Sequence, residues 1–141
     1  MKRSSTQILL GLAGAMLFAI GCAILLFPHG FFASNGVTLS TDPNLMSEVR
    51  APGGLLIASA VLILFGAFRE SHTRTALTVA AAVYGCYALA RLVSIAIDGL
   101  PSTSLLAATA IELVVAVLCT RTLTSTRKTT RTHPELTSLV A

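Results

Sequence analysis

The chain has 141 residues, a length suited to one domain, and 54% of them are apolar against 11% charged. A soluble domain is about a quarter charged, so this balance excludes disorder and an ordinary soluble enzyme, and three cysteines exclude a disulfide scaffold. The formal charge is +4, tryptophan is absent, and Ala, Leu, Val and Ile supply an apolar excess that points to a bilayer.

A spanning helix needs about 20 mostly apolar residues. The first such run, residues 8–27, carries no charge. Lys2 and Arg3 precede it as they would a signal peptide, and Ala19-Ile20-Gly21-Cys22 is a degenerate lipoprotein cleavage site. The apolar core of a signal is about 7–15 residues, however, and this run continues past Cys22 to Phe27, which favours an uncleaved helix. Gly11, Ala15 and Ala19 fall at i, i+4 and i+8 and predict a small-residue face for close packing. The loop from Pro28 to Asp42 follows, and its His29-Gly30-Phe31-Phe32 segment suits an interfacial anchor or an amphipathic lid.

The second run covers residues 51–68 and has an unusual entrance. Asp42 and Pro43 predict a helix start, with Asp as N-cap and Pro at the first helical position. Pro52 then lies inside the helix, where it removes the bond to the Glu48 carbonyl and predicts a kink. Gly53 and Gly54 predict a close helix approach beside it. The third run covers 76–97, broken only by Arg91, and the fourth covers 105–123, with Glu112 inside it and Arg121 near its end. Backbone groups in lipid must be satisfied internally, so runs of this length predict helices. The expected fold is an all-α integral membrane protein, a four-helix transmembrane bundle over residues 1–123. Residues 124–141 are expected to form a basic, Thr-rich, flexible tail.

Charge orients the bundle. Lys2, Arg3, Arg69, Arg74, Arg121, Arg127, Lys128 and Arg131 fall on one side if all four runs span, leaving only Arg50 and Arg91 elsewhere. Basic loops stay cytoplasmic, which predicts both termini inside and a multi-pass membrane protein. The tail reads as a solvated anchor near anionic lipid. No aromatic residues interleave its basic ones, so nucleic acid is not an expected partner.

Cys22, Cys86 and Cys119 lie inside spans without C-x-x-C spacing and read as small buried residues. His29 falls on one side and His72 and His133 on the other, so no metal site is expected. Neither a Walker A loop nor a G-x-S-x-G or Rossmann glycine pattern occurs, and no cofactor is implied.

The outer half of the bundle collects the remaining charge. The third and fourth spans are joined by Asp98-Gly99-Leu100-Pro101-Ser102-Thr103-Ser104, a segment rich in turn formers. Arg91 lies as far before its midpoint as Glu112 lies after it, so an antiparallel hairpin puts the two at matched depth. An ionised residue deep in a span costs about 2.5–3.5 kcal/mol on insertion scales, and pairing offsets that cost. Tyr84, Tyr87, Arg91 and Asp98 share one helix face, so the tyrosines extend a polar stripe inward and Asp98 lies within reach of Arg91. Glu48 and Arg50, above the Pro52 kink, fall at the level of Asp98. Glu48, Arg50, Arg91, Asp98 and Glu112 are therefore expected to converge from three helices, with a formal sum of −1.

These residues carry a family likeness. Glu48-Val49-Arg50-Ala51-Pro52-Gly53-Gly54, Tyr87-Ala88-Leu89-Ala90-Arg91-Leu92-Val93-Ser94, Asp98-Gly99-Leu100-Pro101 and Ile111-Glu112-Leu113 resemble a family of small bacterial membrane proteins known as domain of unknown function 4345. The likeness runs from the first span to the fourth and ends near Leu123. It implies a four-helix membrane fold, a place in the bacterial inner membrane and no settled activity, and it implies that these stretches are the shared signature.

Three functional readings follow. In the first, the site binds or acid/base-processes a small lipophilic molecule. Glu112, Arg91, Glu48 and Asp98 are then the candidate catalytic groups, and Arg50, Tyr84 and Tyr87 the candidate ligand-binding groups. In the second, the protein is a non-enzymatic accessory or assembly factor whose charges form a structural network. Its small-residue faces would then meet a membrane-protein partner or another copy of the chain. The third reading is a proton-coupled carrier, disfavoured because the inner half of each span lacks charge away from its end. Membrane lipid is an expected partner in all three.

Overall fold

The computed structural model describes residues 3–131 and, for side-chain burial, residues 4–125. Five α-helices follow one another: α1 Arg3–Leu26, α2 Pro28–Ala33, α3 Pro43–Phe68, α4 Thr73–Asp98 and α5 Thr103–Arg131. A 3-10 turn, Glu70–His72, joins α3 to α4, and no strand occurs among the described residues. Four segments are long and apolar enough to cross a membrane: Ser4–Leu26, Pro43–Phe68, Glu70–Asp98 and Thr103–Ser125.

The start of α3 follows the expected chemistry. The Asp42 carboxylate accepts from the backbone N–H groups of Asn44 and Leu45, both at 3.0 Å, with Pro43 in the first turn. The helix continues through Pro52 without a break. At the end of α4, Gly99 adopts φ +93°, a conformation that an L side chain rarely takes, and its N–H still reaches the Ile95 carbonyl at 3.2 Å. That residue turns the chain into the α4–α5 hairpin. Helix α5 runs past residue 123 to Arg131, so the first eight residues expected in a flexible tail are helical. The reason is local: no Gly or Pro interrupts the sequence before Pro134. The rest of the tail, with His133, lies outside the described residues.

The bundle is two helical hairpins laid together. Helix α1 packs chiefly on α3, α4 chiefly on α5, and α3 with α4 provides the main link between the pairs. Leu10, Ala13, Leu17 and Ile24 of α1 meet Leu56, Ala60, Ile63 and Ala67 of α3 and Ala76, Leu77, Ala80 and Tyr84 of α4 in one core. Large apolar side chains such as Leu12, Leu55, Phe68, Ile97 and Leu100 point outward, the arrangement of a protein whose solvent is lipid.

The packing face of α1 differs from the expected one. Ala15 and Ala19 are exposed and a side chain at Gly11 would meet nothing within 4 Å. The close approach is made by Gly14 and Gly21. A Cβ on Gly21 would stand 2.9 Å from the Gly53 carbonyl oxygen, and one on Gly14 would strike Leu64. Small residues repeat on two sides of α1, and only the side that also carries Leu10, Leu17 and Ile24 buries large chains. Gly53 performs the close contact expected of it, whereas Gly54 faces open space.

Candidate functional site

The two ends of the bundle are built differently. At the end nearer the termini the hairpins are pinned. A Cβ on Gly66 would collide with the Cβ of Ala76, and the Thr73 hydroxyl donates to the Gly66 carbonyl at 3.0 Å. Halfway along, the Tyr84 hydroxyl donates to the Ala13 carbonyl at 2.7 Å. Beyond this point burial on α4 stops at Ala88, and every residue from Leu89 to Asp98 is at least partly exposed. At the distal end the chain after α2 reaches across, and the Ser104 hydroxyl at the start of α5 donates to Asn35 Oδ1 at 3.1 Å. Phe31 and Phe32 of α2 are partly buried against the core and pack edge to face, 5.6 Å apart. The segment expected to be an anchor or lid is thus a short helix tied to both hairpins.

Between the Tyr84 contact and the distal tie lies one ion pair. Arg91 Nε donates to both oxygens of Glu112, at 3.2 and 3.1 Å. The Glu112 side chain is 12% exposed and that of Arg91 31% exposed. The matched depth read from the hairpin is therefore realised as a direct contact.

Only one of the five guanidinium N–H donors of Arg91 is used. Among the described residues, neither Nη atom has a hydrogen-bond partner, and none of the side-chain nitrogens and oxygens left unpartnered is fully buried. The Nη donors therefore stay accessible in the middle of an apolar helix. The Tyr87 hydroxyl, one turn inward on the same face, also has no hydrogen-bond partner among the described residues. Leu89, Leu92 and Val93 of α4 and Ile111 of α5 are exposed apolar chains within one or two turns of the pair.

Among the described residues, Arg50, Asp98 and Glu48 make no hydrogen bond or ion pair with Arg91 or Glu112. Arg50 turns to α1, where its Nη1 donates to the Leu25 carbonyl at 3.0 Å. That carbonyl lies in the last turn of α1, which lacks intrahelical partners, so a cation satisfies it well. Asp98 accepts from Ser94 Oγ at 2.9 Å and remains exposed, out of any ion pair with Arg91. Glu48 is exposed on α3. Glu48 and Arg50 lie on α3, which pairs chiefly with α1, while Arg91, Asp98 and Glu112 lie on the α4–α5 hairpin. Tyr84 also departs from the polar stripe, because its hydroxyl is spent on Ala13.

Sequence reasoning missed the Tyr84–Ala13, Arg50–Leu25 and Asn35–Ser104 contacts. Two of these end on a backbone carbonyl, which every residue possesses, so no residue type marks the acceptor. Cys22 is partly exposed, Cys86 exposed and Cys119 buried, all as free thiols. No group of three or more His, Cys, Asp or Glu side chains suited to a metal occurs among the described residues.

The sequence model of the family described as Domain of unknown function (DUF4345) matches residues 5–123. The chain belongs to this family. The match covers all four spans and both members of the Arg91–Glu112 pair, and it ends near the point expected from the sequence. Comparison with curated proteins and with solved structures found no match.

Proposed function

We propose that this DUF4345 protein is a multi-pass membrane protein that binds a small lipophilic molecule at the Arg91–Glu112 pair. The observation that carries this reading is the state of Arg91: a charged group within a span, held by one carboxylate, with its Nη donors accessible and unspent. A purely structural pair in lipid is expected to satisfy its donors, because each unmet polar group in hydrocarbon costs free energy. Arg91 would receive a polar head, and the apolar remainder would lie in the lipid beside α4 and α5. Glu112 is the group through which the site would exchange a proton with a bound head. Arg50, Glu48 and Asp98 take no part in this reading, and Tyr84 supports the fold around it.

The test is the content of the purified protein. Wild type and the double variant Arg91→Gln/Glu112→Gln, extracted in mild detergent, are compared by mass spectrometry of co-purifying small molecules. A lipophile enriched over bulk membrane lipid in wild type and lost from the folded double variant supports the site. Only bulk phospholipid in both removes the ligand reading and leaves the pair as a structural tie between α4 and α5.

A further inference from the structure

The charge balance and the donor geometry of the site go further than binding, and name the kind of head group. We infer that the ligand presents a neutral oxygen acceptor, a ketone, quinone or ester carbonyl, to Arg91 and Tyr87, in preference to a carboxylate or phosphate. This inference rests on the reading that the pair is a ligand site.

The first argument is electrostatic. Arg91 and Glu112 are in contact at 3.1 Å, so the site is formally neutral before anything binds. The basic groups nearest along the chain do not compensate an added negative charge. Arg69, Arg74 and Arg121 lie at the opposite end of the spans, and Arg50 turns its Nη1 to the Leu25 carbonyl of α1 and makes no hydrogen bond or ion pair with Arg91 or Glu112 among the described residues. Asp98, two turns along α4, is itself acidic. An anionic head would therefore leave a net negative charge within an apolar segment and against the Glu112 carboxylate. At short range and low effective dielectric that repulsion exceeds what a hydrogen bond returns.

The second argument is the inventory of free groups. The Nη donors of Arg91 and the Tyr87 hydroxyl, one turn apart on one face of α4, are all able to donate, and a carbonyl oxygen accepts two such bonds. Glu112, the carboxylate beside them, is engaged by Arg91 Nε alone. The free donors of Arg91 and Tyr87 thus outnumber the bonds they make, and a head that supplies an acceptor oxygen meets them. Tyr87 is a specificity-determining residue in this arrangement, distinct from Tyr84, whose hydroxyl is already used.

The experiment uses two photoreactive probes of equal chain length, a diazirine-bearing alkyl methyl ketone and the corresponding carboxylate, added to the full-length protein in vesicles of zwitterionic lipid. Labelling of peptides from α4 and α5 is quantified. Wild type is expected to label with the ketone about tenfold more than with the carboxylate. Glu112→Gln, which leaves a net cation, is expected to reverse the preference. Tyr87→Phe is expected to lower ketone labelling without reversing it. Equal or greater labelling by the carboxylate in wild type overturns the neutral-head inference while the ligand site stands. If neither probe labels α4 or α5 above background in wild type, both the inference and the ligand reading fail. Should Glu112→Gln not fold, the wild-type ratio alone decides.

Discussion

The Tyr84 hydroxyl on α4 donates to the Ala13 carbonyl on α1 across 2.7 Å, and this bond joins the two hairpins at mid-bundle. Tyr84 is almost wholly buried, and its ring lies in the common core with Leu10, Ala13 and Leu17. The contact fixes where the hairpins stay together, and so where the exposed stretch of α4 with Arg91 begins.

Tyr84→Phe keeps the ring and removes only the hydroxyl. The expected loss is about 0.6–1.7 kcal/mol, the range of hydrogen bonds between membrane helices. Denaturation in mixed micelles of wild type and variant measures it. An unchanged midpoint would mean that the bond does not hold the hairpins together.

Glycines on α1 and α3 separate sharply. Gly66→Ala is expected to destabilise by about 1–3 kcal/mol, because its new methyl collides with Ala76 and stands 2.8 Å from the His72 carbonyl oxygen. Gly11→Ala meets nothing within 4 Å and is expected to be neutral or slightly stabilising. The reverse order of effects, in the same unfolding assay, would place the packing face of α1 on Gly11, Ala15 and Ala19 after all.

The Arg91–Glu112 contact predicts strong non-additivity. Arg91→Leu and Glu112→Leu each strand a charge within a span, whereas the double variant strands none. A double-mutant cycle is expected to give a coupling of about 0.5–3 kcal/mol, with the double variant more stable than at least one single. Additive losses would show that the two side chains do not stabilise one another in lipid.

The basic residues near the termini and in the α3–α4 turn predict an orientation with both termini inside. With Cys22, Cys86 and Cys119 replaced by Ala, Thr38→Cys on the loop after α2 is expected to react with an impermeant maleimide in intact cells. Ser71→Cys, in the 3-10 turn, is expected to react only after permeabilisation. The opposite pattern would invert the bundle.

The N-terminal end of α3 illustrates what sequence determines. Asp42 and Pro43 specify the helix start by local chemistry, and the same holds for the turn at Gly99, where few residues but glycine take the required φ. The four apolar runs, and the matched depth of Arg91 and Glu112 across a short antiparallel turn, are equally local: they depend on residue counts along one helix pair. Which face of α1 packs, which hairpin receives Arg50, and whether Tyr84 belongs to a polar stripe or to the core depend on how two hairpins dock. Helix periodicity marks Ala15 and Gly14 alike as small, and only the neighbour that fills the space decides between them. Likewise the partners that Arg50 and Arg91 take, the Leu25 carbonyl and Glu112, depend on helix pairing, since depth in a membrane is written along the chain and lateral position is not.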